Sequence, residues 1–245
     1  MKKIALAAAM AATICFNSFA ATAADSTKHG YGQGNAVNNL NQPIGAVDFT
    51  SQYSGYDAYA VSGDKKRIIL TFDQGYENGY TDDILDTLKE KNVKAIFFLT
   101  GDYARKEKSL VTRMIADGHM LGNHGWKHAS LPTLNDSQAK DEIMSLHQYM
   151  LDEYDYEMQY FRCPCGEYSE SALETLQRLG YKTIFWSYAY VDWKTDCQPS
   201  ADEGFQKLTQ SAHGGEILLL HSVSATNAEI LGDVIDNFRQ QGFTV

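Results

Sequence analysis

Short apolar runs alternate with amphipathic stretches from residue 67 to the C-terminus of this 245-residue chain. The runs have four to six residues, the usual length of a buried strand, and they are IILTF (68–72), AIFFLT (95–100), HMLGN (119–123), YFRC (160–163), TIFWS (183–187) and EILLLH (216–221). The stretches between them place apolar residues at helical spacing, over residues 82–91, 106–117, 135–153, 169–179, 202–212 and 227–241. Caps support several of these boundaries, because Asn135 (or Ser137) and Ser169 precede helices and Gly180 and Gly242 follow them.

Strands that alternate with helices of about 10–15 residues are typical of β–α units around a parallel sheet. Six such units, with a seventh strand predicted at Phe243–Val245, indicate an α/β fold of the distorted (β/α)7-type barrel. Residues 24–66 are rich in Gly, Asn, Ser and Tyr and show little periodicity, so an irregular N-terminal extension is expected there. We therefore expect the main domain to occupy residues 67–245.

The N-terminus has the layout of a secretory signal peptide: two lysines, an apolar run and the small residues Ala21-Thr22-Ala23. Cleavage near Ala23 or Ala24 would remove residues 1–23 and leave an exported protein of the cell envelope. The alternative is an uncleaved anchor, but the apolar run is shorter than the roughly 20 residues that a membrane span needs. The remaining sequence offers no candidate for a span, so none is expected after cleavage.

Charge and cysteine content narrow the range of partners and cross-links. The formal net charge is −10, and an acidic chain repels the phosphate backbone of nucleic acids, so no nucleic-acid partner is expected.

Removal of the signal peptide leaves an odd number of cysteines, Cys163, Cys165 and Cys197. A disulfide from Cys197 to either of the other two is one possibility, and plain packing is another. A thiolate metal site is disfavoured because no C-x-x-C pair is present.

Ionisable side chains lie at the ends of the predicted strands. These are Asp73 after the first strand, His124 after the third, Arg162 late in the fourth, Asp192 just beyond the fifth, and His221 at the end of the sixth. In β/α barrels the carboxyl ends of the strands meet at one mouth, where active sites are found. The sequence therefore predicts that these side chains gather in a single site.

Two histidines four residues apart, His124 and His128 in NHGWKH, indicate a metal site. This spacing brings both imidazoles to one side of a helical turn, and two unrelated surface histidines are the alternative. A further ligand is expected from the TFDQ turn, where Gln74 offers only a neutral carbonyl oxygen. A divalent metal should therefore be held more weakly than it would be by a carboxylate at this position.

Two carboxylates and two basic side chains are candidates for acid–base chemistry. Asp73 is the candidate base that deprotonates water, and Arg162 is a planar cation that can keep this carboxylate ionised and oriented. His221 is the candidate general acid, with Asp192 as the carboxylate that keeps it protonated. A surface salt bridge for Arg162 and a buried structural role for His221 are the alternatives.

Three further residues are candidates for contact with a substrate. Pro164 and Gly166 indicate a tight backbone turn, so an N–H near Cys165 is expected to face a developing oxyanion. Trp193 and Leu219 are expected to form the wall of a small apolar pocket, and a plain core position is the alternative for each.

Five motifs of this chain resemble, in the same order, those of the polysaccharide deacetylase family, the NodB-homology carbohydrate esterases. They run from Thr71 to His221 and consist of TFDQG for the family's TFDDG, HGWKH for H-[ST]-x-x-H, RCPCG for R-x-P-x-G, AYVDW for D-x-x-D-W, and LLH for L-x-H. The chain departs from the family pattern at Gln74, and Ala189 stands where an acid is frequent. Within that family, TFDQGYENGYT and LLHSVSATNAEIL are similar to delta-lactam-biosynthetic de-N-acetylases, which act on muramic acid in spore-cortex peptidoglycan.

The resemblance implies a metal-dependent hydrolase, with zinc as the expected ion, that removes acetate from N-acetylmuramic acid in a peptidoglycan glycan strand. It implies that residues 67–245 form the catalytic domain. In this domain Asp73 would be the base, oriented by Arg162, and His221 the acid, with Asp192 as its partner. His124 and His128 would be the metal ligands, and Trp193 with Leu219 would form the acetate pocket. Two alternatives remain open. One is a deacetylase of N-acetylglucosamine polymers or acetylated xylan, and the other is a glycan-binding module whose metal site has decayed through Gln74.

Overall fold

The computed structural model describes residues 24–245, so the predicted signal peptide, residues 1–23, lies outside the described residues. In this range the strands are β1 His29–Gly30, β2 Ala58–Tyr59, β3 Ile68–Gln74, β4 Ile96–Leu99, β5 Met120–Asn123, β6 Tyr160–Phe161, β7 Glu167–Tyr168, β8 Lys182–Ile184, β9 Tyr188–Ala189 and β10 Glu216–His221. The helices are α1 Ile44–Tyr53, α2 Thr81–Glu90, α3 Gly101–Lys106, α4 Lys108–Ala116, α5 Asp136–Tyr154, α6 Glu170–Arg178, α7 Ala201–Gln210 and α8 Ala225–Gln240.

One parallel sheet organises the described chain. Its eight strands follow the order β2-β8-β6-β5-β4-β3-β10-β9, and every neighbouring pair is parallel. Strand β8 lies near one edge of the sheet and β9 forms the other edge, yet only residues 185–187 separate them in the chain. This short link brings the two edges toward each other, so the sheet is curled. The predicted α/β fold of the distorted barrel type is confirmed, in the form of a curled half-barrel of eight parallel strands, and all strand ends that carry predicted site residues point toward one mouth.

The helix boundaries reflect the predicted caps. The Asn135 side chain accepts a hydrogen bond from Gln138 N–H at 3.0 Å, and the Gln138 side chain accepts one in return from Asn135 N–H. Ser169 caps α6 through Ala172 N–H at 3.2 Å. Because both caps satisfy N–H groups that a helix cannot pair internally, the starts of α5 and α6 were readable from sequence.

The N-terminal extension is less irregular than its composition indicates. It contains α1, whose residues Ala46, Phe49 and Tyr53 are buried in the main core, and β2, which pairs with β8 at one edge of the sheet. A two-residue strand has no measurable periodicity, so β2 could not be recognised in the sequence. The predicted strand at Phe243–Val245 is wrong: within the described residues this segment makes a single β-bridge, between Thr244 and Arg67.

The barrel interior and the outer layer between sheet and helices are both apolar. Inside the curl, β3, β4, β8 and β10 contribute a small cluster that includes Ile69, Phe98, Ile184 and Ile217. The helices cover the outer face, where strands β3 and β4 bury the stacked rings of Phe72 and Phe97. No helix formed by residues 24–245 is long and apolar enough to cross a membrane.

Candidate active site

A cavity of about 1230 Å³ opens where the parallel strands end. Its walls include seven of the residues predicted for the site, namely Asp73, His124, His128, Cys165, Trp193, Leu219 and His221. The register of the sheet explains why two of them are neighbours, because Asp73 and His221 are paired on the adjacent strands β3 and β10. Two more predicted residues, Arg162 and Asp192, are fully buried beneath this wall and contact Asp73 and His221.

Asp73 is held by a wholly buried arginine. Arg162 Nη1 donates to Asp73 Oδ1 at 2.8 Å, while its Nε and Nη2 donate to the carbonyl oxygens of Ile184 and Phe185 at 3.0 and 3.1 Å. The guanidinium also lies 4.2 Å from the ring centroid of Phe98. Burial opposes ionisation of the Asp73 carboxyl, but the nearby Arg162 and histidines outweigh it and lower its pKa. Asp73 is therefore an oriented carboxylate at neutral pH.

His124 and His128 present ring nitrogens to the same point in the cavity. The Nε2 atoms of the two rings are 3.1 Å apart, and His124 Nε2 lies 3.5 Å from Asp73 Oδ2. His124 Nδ1 lies 2.8 Å from the Arg162 carbonyl oxygen and donates to it, which leaves Nε2 unprotonated in the neutral ring. Burial lowers the pKa of His128 and lowers that of His124 to about 4. Both rings are therefore neutral near pH 7, the form that binds metal ions.

The donor set suits a metal ion held by two imidazoles. Two nitrogens bound to one ion at about 2.0–2.1 Å lie roughly 3.0–3.4 Å apart, which brackets the distance between the two Nε2 atoms. Within residues 24–245, however, no group of three or more His, Cys, Asp and Glu side chains is arranged to hold a metal. An ion bound here would be held by the imidazoles of His124 and His128.

Gln74 is not brought together with the two histidines. Its side-chain amide donates to Ser222 Oγ, and it makes no hydrogen bond to either imidazole. Successive residues of a strand point to opposite faces of the sheet, so Gln74 faces away when Asp73 faces the cavity. Its Oε1 atom is buried and has no hydrogen-bond partner among the described residues. The role of Gln74 as a ligand stays a prediction.

His221 is paired with a buried carboxylate. Its Nδ1 lies 2.7 Å from Asp192 Oδ1, and its backbone N–H donates to Asp192 Oδ2 at 2.8 Å. Burial on its own would lower the pKa of His221, but hydrogen bonding and attraction from Asp192 outweigh it and raise the pKa. The Trp193 ring covers the imidazole, with the two ring centroids 5.5 Å apart. The environment of His221 therefore favours the protonated imidazole.

Two supporting residues were missed in the sequence. Asn227 Nδ2 donates to Asp192 Oδ2 at 2.6 Å and thereby helps to fix the carboxylate that orients His221. Glu142 Oε1 accepts from the N–H groups of Lys127 and Ala129, at 2.7 and 3.0 Å, and so holds the turn that carries His128. Both lie on helices, and neither has a local signal that separates it from an ordinary polar residue.

The three predicted substrate-contact residues, Cys165, Trp193 and Leu219, all line the cavity. Cys165 lines the cavity at a φ of +57°, a left-handed conformation that makes the sharp turn predicted around Gly166. All three cysteines of the described chain are free thiols, with Cys163 buried and Cys165 and Cys197 exposed. Leu219 is buried in the wall, whereas Trp193 is 46% exposed at the cavity mouth.

Comparisons with known proteins converge on one family. The family model for polysaccharide deacetylase matches residues 60–184. The chain is 40% identical over 209 residues to the peptidoglycan-N-acetylmuramic acid deacetylase PdaA of Bacillus subtilis, covering 84% of this chain and 79% of that protein. It is 33% identical to a peptidoglycan-N-acetylglucosamine deacetylase of Bacillus cereus, over 75% of this chain and 66% of that protein. The solved structure of Bacillus subtilis PdaA, described as a family 4 carbohydrate esterase, superposes with a TM-score of 0.85 at 38% identity, covering 90% of this chain and 94% of that one.

Proposed function

This chain belongs to the polysaccharide deacetylase family, and from that premise we propose that it removes acetate from N-acetylmuramic acid in peptidoglycan strands. The observation that supports this most is the cross-strand pair of Asp73 and His221, a carboxylate and an imidazole that lie side by side in the wall of one cavity. Their environments lower the pKa of Asp73 and raise that of His221. Opposite shifts of this kind separate a base from an acid at the same pH.

The hydrolysis needs one proton removed and one delivered. Asp73, kept ionised by Arg162, takes a proton from the attacking water, whose oxygen bonds to the acetyl carbon. His221, kept protonated by Asp192, gives a proton to the sugar nitrogen as the C–N bond breaks, which releases acetate and a free amine. The N–H near Cys165 would donate to the oxyanion that forms between these events.

A divalent metal, with zinc as the expected ion, would be held by His124 and His128. When bound, it would supply Lewis-acid polarisation of the acetyl carbonyl group and of water. The neutral state of both imidazoles favours binding of the metal. The lack of an anionic ligand as a third donor limits the affinity for it. In this scheme Trp193 and Leu219 enclose the acetyl methyl group.

The choice of muramic acid rests on similarity, and the choice of peptidoglycan rests also on the expected location. The relative with 40% identity carries the muramic acid activity in its name, and the glucosamine-specific relative is 33% identical. A cleaved signal peptide over residues 1–23 would deliver the enzyme to the cell envelope, where the glycan strand is its partner. A role in muramic δ-lactam formation during sporulation would follow from deacetylation of that sugar.

Mass spectrometry of glycan fragments tests the proposal. Peptidoglycan strands without peptides are incubated with the zinc-loaded protein and then digested to disaccharides. We expect the loss of one acetyl group on muramic acid, and Asp73→Asn should lower the rate about 10²–10⁴-fold because it removes the base. Acetyl loss confined to glucosamine would instead support the second candidate, a glucosamine deacetylase. No acetyl loss from either sugar, or full activity of Asp73→Asn, would contradict the assignment.

A further inference from the structure

Most ionised side chains around the cavity are neutralised by a neighbour. Asp73 is paired with Arg162, and Asp102 is paired with Arg105 at 3.1 Å and with Lys106 at 2.7 Å. Lys127 also lines the cavity, yet its side chain makes no salt bridge or hydrogen bond within residues 24–245. It is thus a cation of the cavity wall that has no anionic partner among the described residues.

Contacts of the turn around Lys127 hold the backbone that carries this side chain. Its backbone N–H donates to Glu142 Oε1, and the preceding Trp126 ring packs so closely on Gly101 that a Cβ there would lie 2.3 Å from the ring. The guanidinium of Arg105 lies 5.1 Å from the centroid of the same ring. With the backbone held on both sides, the exposed Lys127 has a defined place in the cavity wall, directly before His128 in the chain.

Muramic acid differs from glucosamine by a lactyl ether on C3, which adds a carboxylate when no peptide is attached. C3 is bonded to C2, the carbon that carries the acetamide, so this carboxylate must lie beside the amide that is hydrolysed. The long, flexible stem of a lysine can deliver an ammonium group to such a point. The chain as a whole carries a formal charge of −10 and repels an anionic sugar, so a local cation is needed to accept it.

We propose that Lys127 binds the lactyl carboxylate of muramic acid and sets the preference for this sugar over N-acetylglucosamine. This inference rests on the proposed function, because it concerns the substrate of the same site. The contact is present in the ground state and in the transition state alike. It therefore acts mainly on KM and much less on kcat.

Chemical capping of the carboxylate tests the inference. Peptide-free glycan strands are compared with the same strands after their lactyl carboxylates have been converted to neutral methylamides. We expect a kcat/KM for acetate release about 10–100-fold higher on the free acid, as befits a hydrogen bond to a charged group. Lys127→Met should lose this advantage through a raised KM on the free acid, so that its kcat/KM becomes nearly the same on free and capped strands. Lys127→Arg should restore part of it.

Lys140→Met is the matched control, because Lys140 is exposed on α5 and lies outside the cavity wall. It removes the same charge and should leave both rates unchanged. Equal rates of the wild type on free and capped strands would overturn the role of Lys127 while acetate release preserved the proposed function. An equal loss on both substrates for Lys127→Met would also overturn it. Absence of acetate release from either strand would refute the proposed function itself.

Discussion

The protonation of His221 depends on the buried carboxylate of Asp192, so we expect Asp192 to set the upper pH limit of the proposed reaction. Its attraction outweighs burial and raises the pKa of His221, so the imidazole stays protonated to higher pH. In Asp192→Asn the attraction is lost and burial lowers that pKa instead. We expect the alkaline limb of the kcat/KM profile to move to lower pH, with a loss of about 10²-fold near neutral pH. Acetate release measured across pH checks this.

Asp196→Asn is the control for that experiment. Asp196 lies in the same loop but is exposed, so the same chemical change should leave the pH profile in place. An alkaline limb that does not move in Asp192→Asn would show that His221 is not the proton donor.

At the scale of single residues, strand ends predicted which ionisable side chains lie together. Asp73 and His221 terminate long apolar strands, and the parallel register brings such ends together whatever lies between them in sequence. The orientation of Gln74 was not predictable from its motif, because it depends on which face of β3 the next residue occupies. Asn227 was also missed, since its partner Asp192 lies 35 residues away along the chain.

At the scale of elements, the turn after β5 depends on a helix. Glu142 on α5 accepts two N–H groups of the turn, and Gly125 lets the carboxylate approach, since a Cβ there would lie 2.7 Å from Glu142 Oε1. Glu142→Ala leaves both donors without this acceptor, which should cost about 1–3 kcal/mol of stability. The loosened turn should weaken zinc binding by about 10–100-fold, because His128 is no longer held in place. Thermal unfolding and zinc titration measure the two effects.

Glu142→Gln separates the hydrogen bonds from the charge. The amide oxygen of glutamine can accept the same two N–H groups, so most of the stability and zinc affinity should return. A Glu142→Ala protein that binds zinc as tightly as the wild type would show that the turn holds its shape unaided.

Long elements were predictable and short ones were not. Strands β3 and β10 were read from continuous apolar runs that reflect burial on both faces. Strands β2 and β9 have only two residues each and exist because a neighbouring strand pairs with them. Conversely, the apolar residues at 243–245 have strand-like character but are used for packing, with Phe243 lying against the main core.

At the scale of the whole molecule, the N-terminal extension shares the core of the main domain. The Phe49 ring lies 4.5 Å from the ring centroid of Phe185 and 5.2 Å from that of Tyr168. Gln33 accepts a hydrogen bond from Trp186 Nε1 at 2.9 Å, so residues before β2 also brace a wall of the cavity. The low periodicity of this segment therefore conceals a structural role, because its aromatic residues insert singly between elements.

Phe49→Ala tests whether this shared core unfolds as one unit. Loss of a buried phenylalanine side chain should cost about 3–5 kcal/mol. All three tryptophans line the cavity and none lies on α1, so their fluorescence during denaturant unfolding reports on the rest of the molecule. We expect their single transition to move to lower denaturant concentration. Ile44→Ala, at an exposed position of α1, should change stability by no more than about 0.5 kcal/mol. An unshifted tryptophan transition in Phe49→Ala would show that the extension is an independent unit.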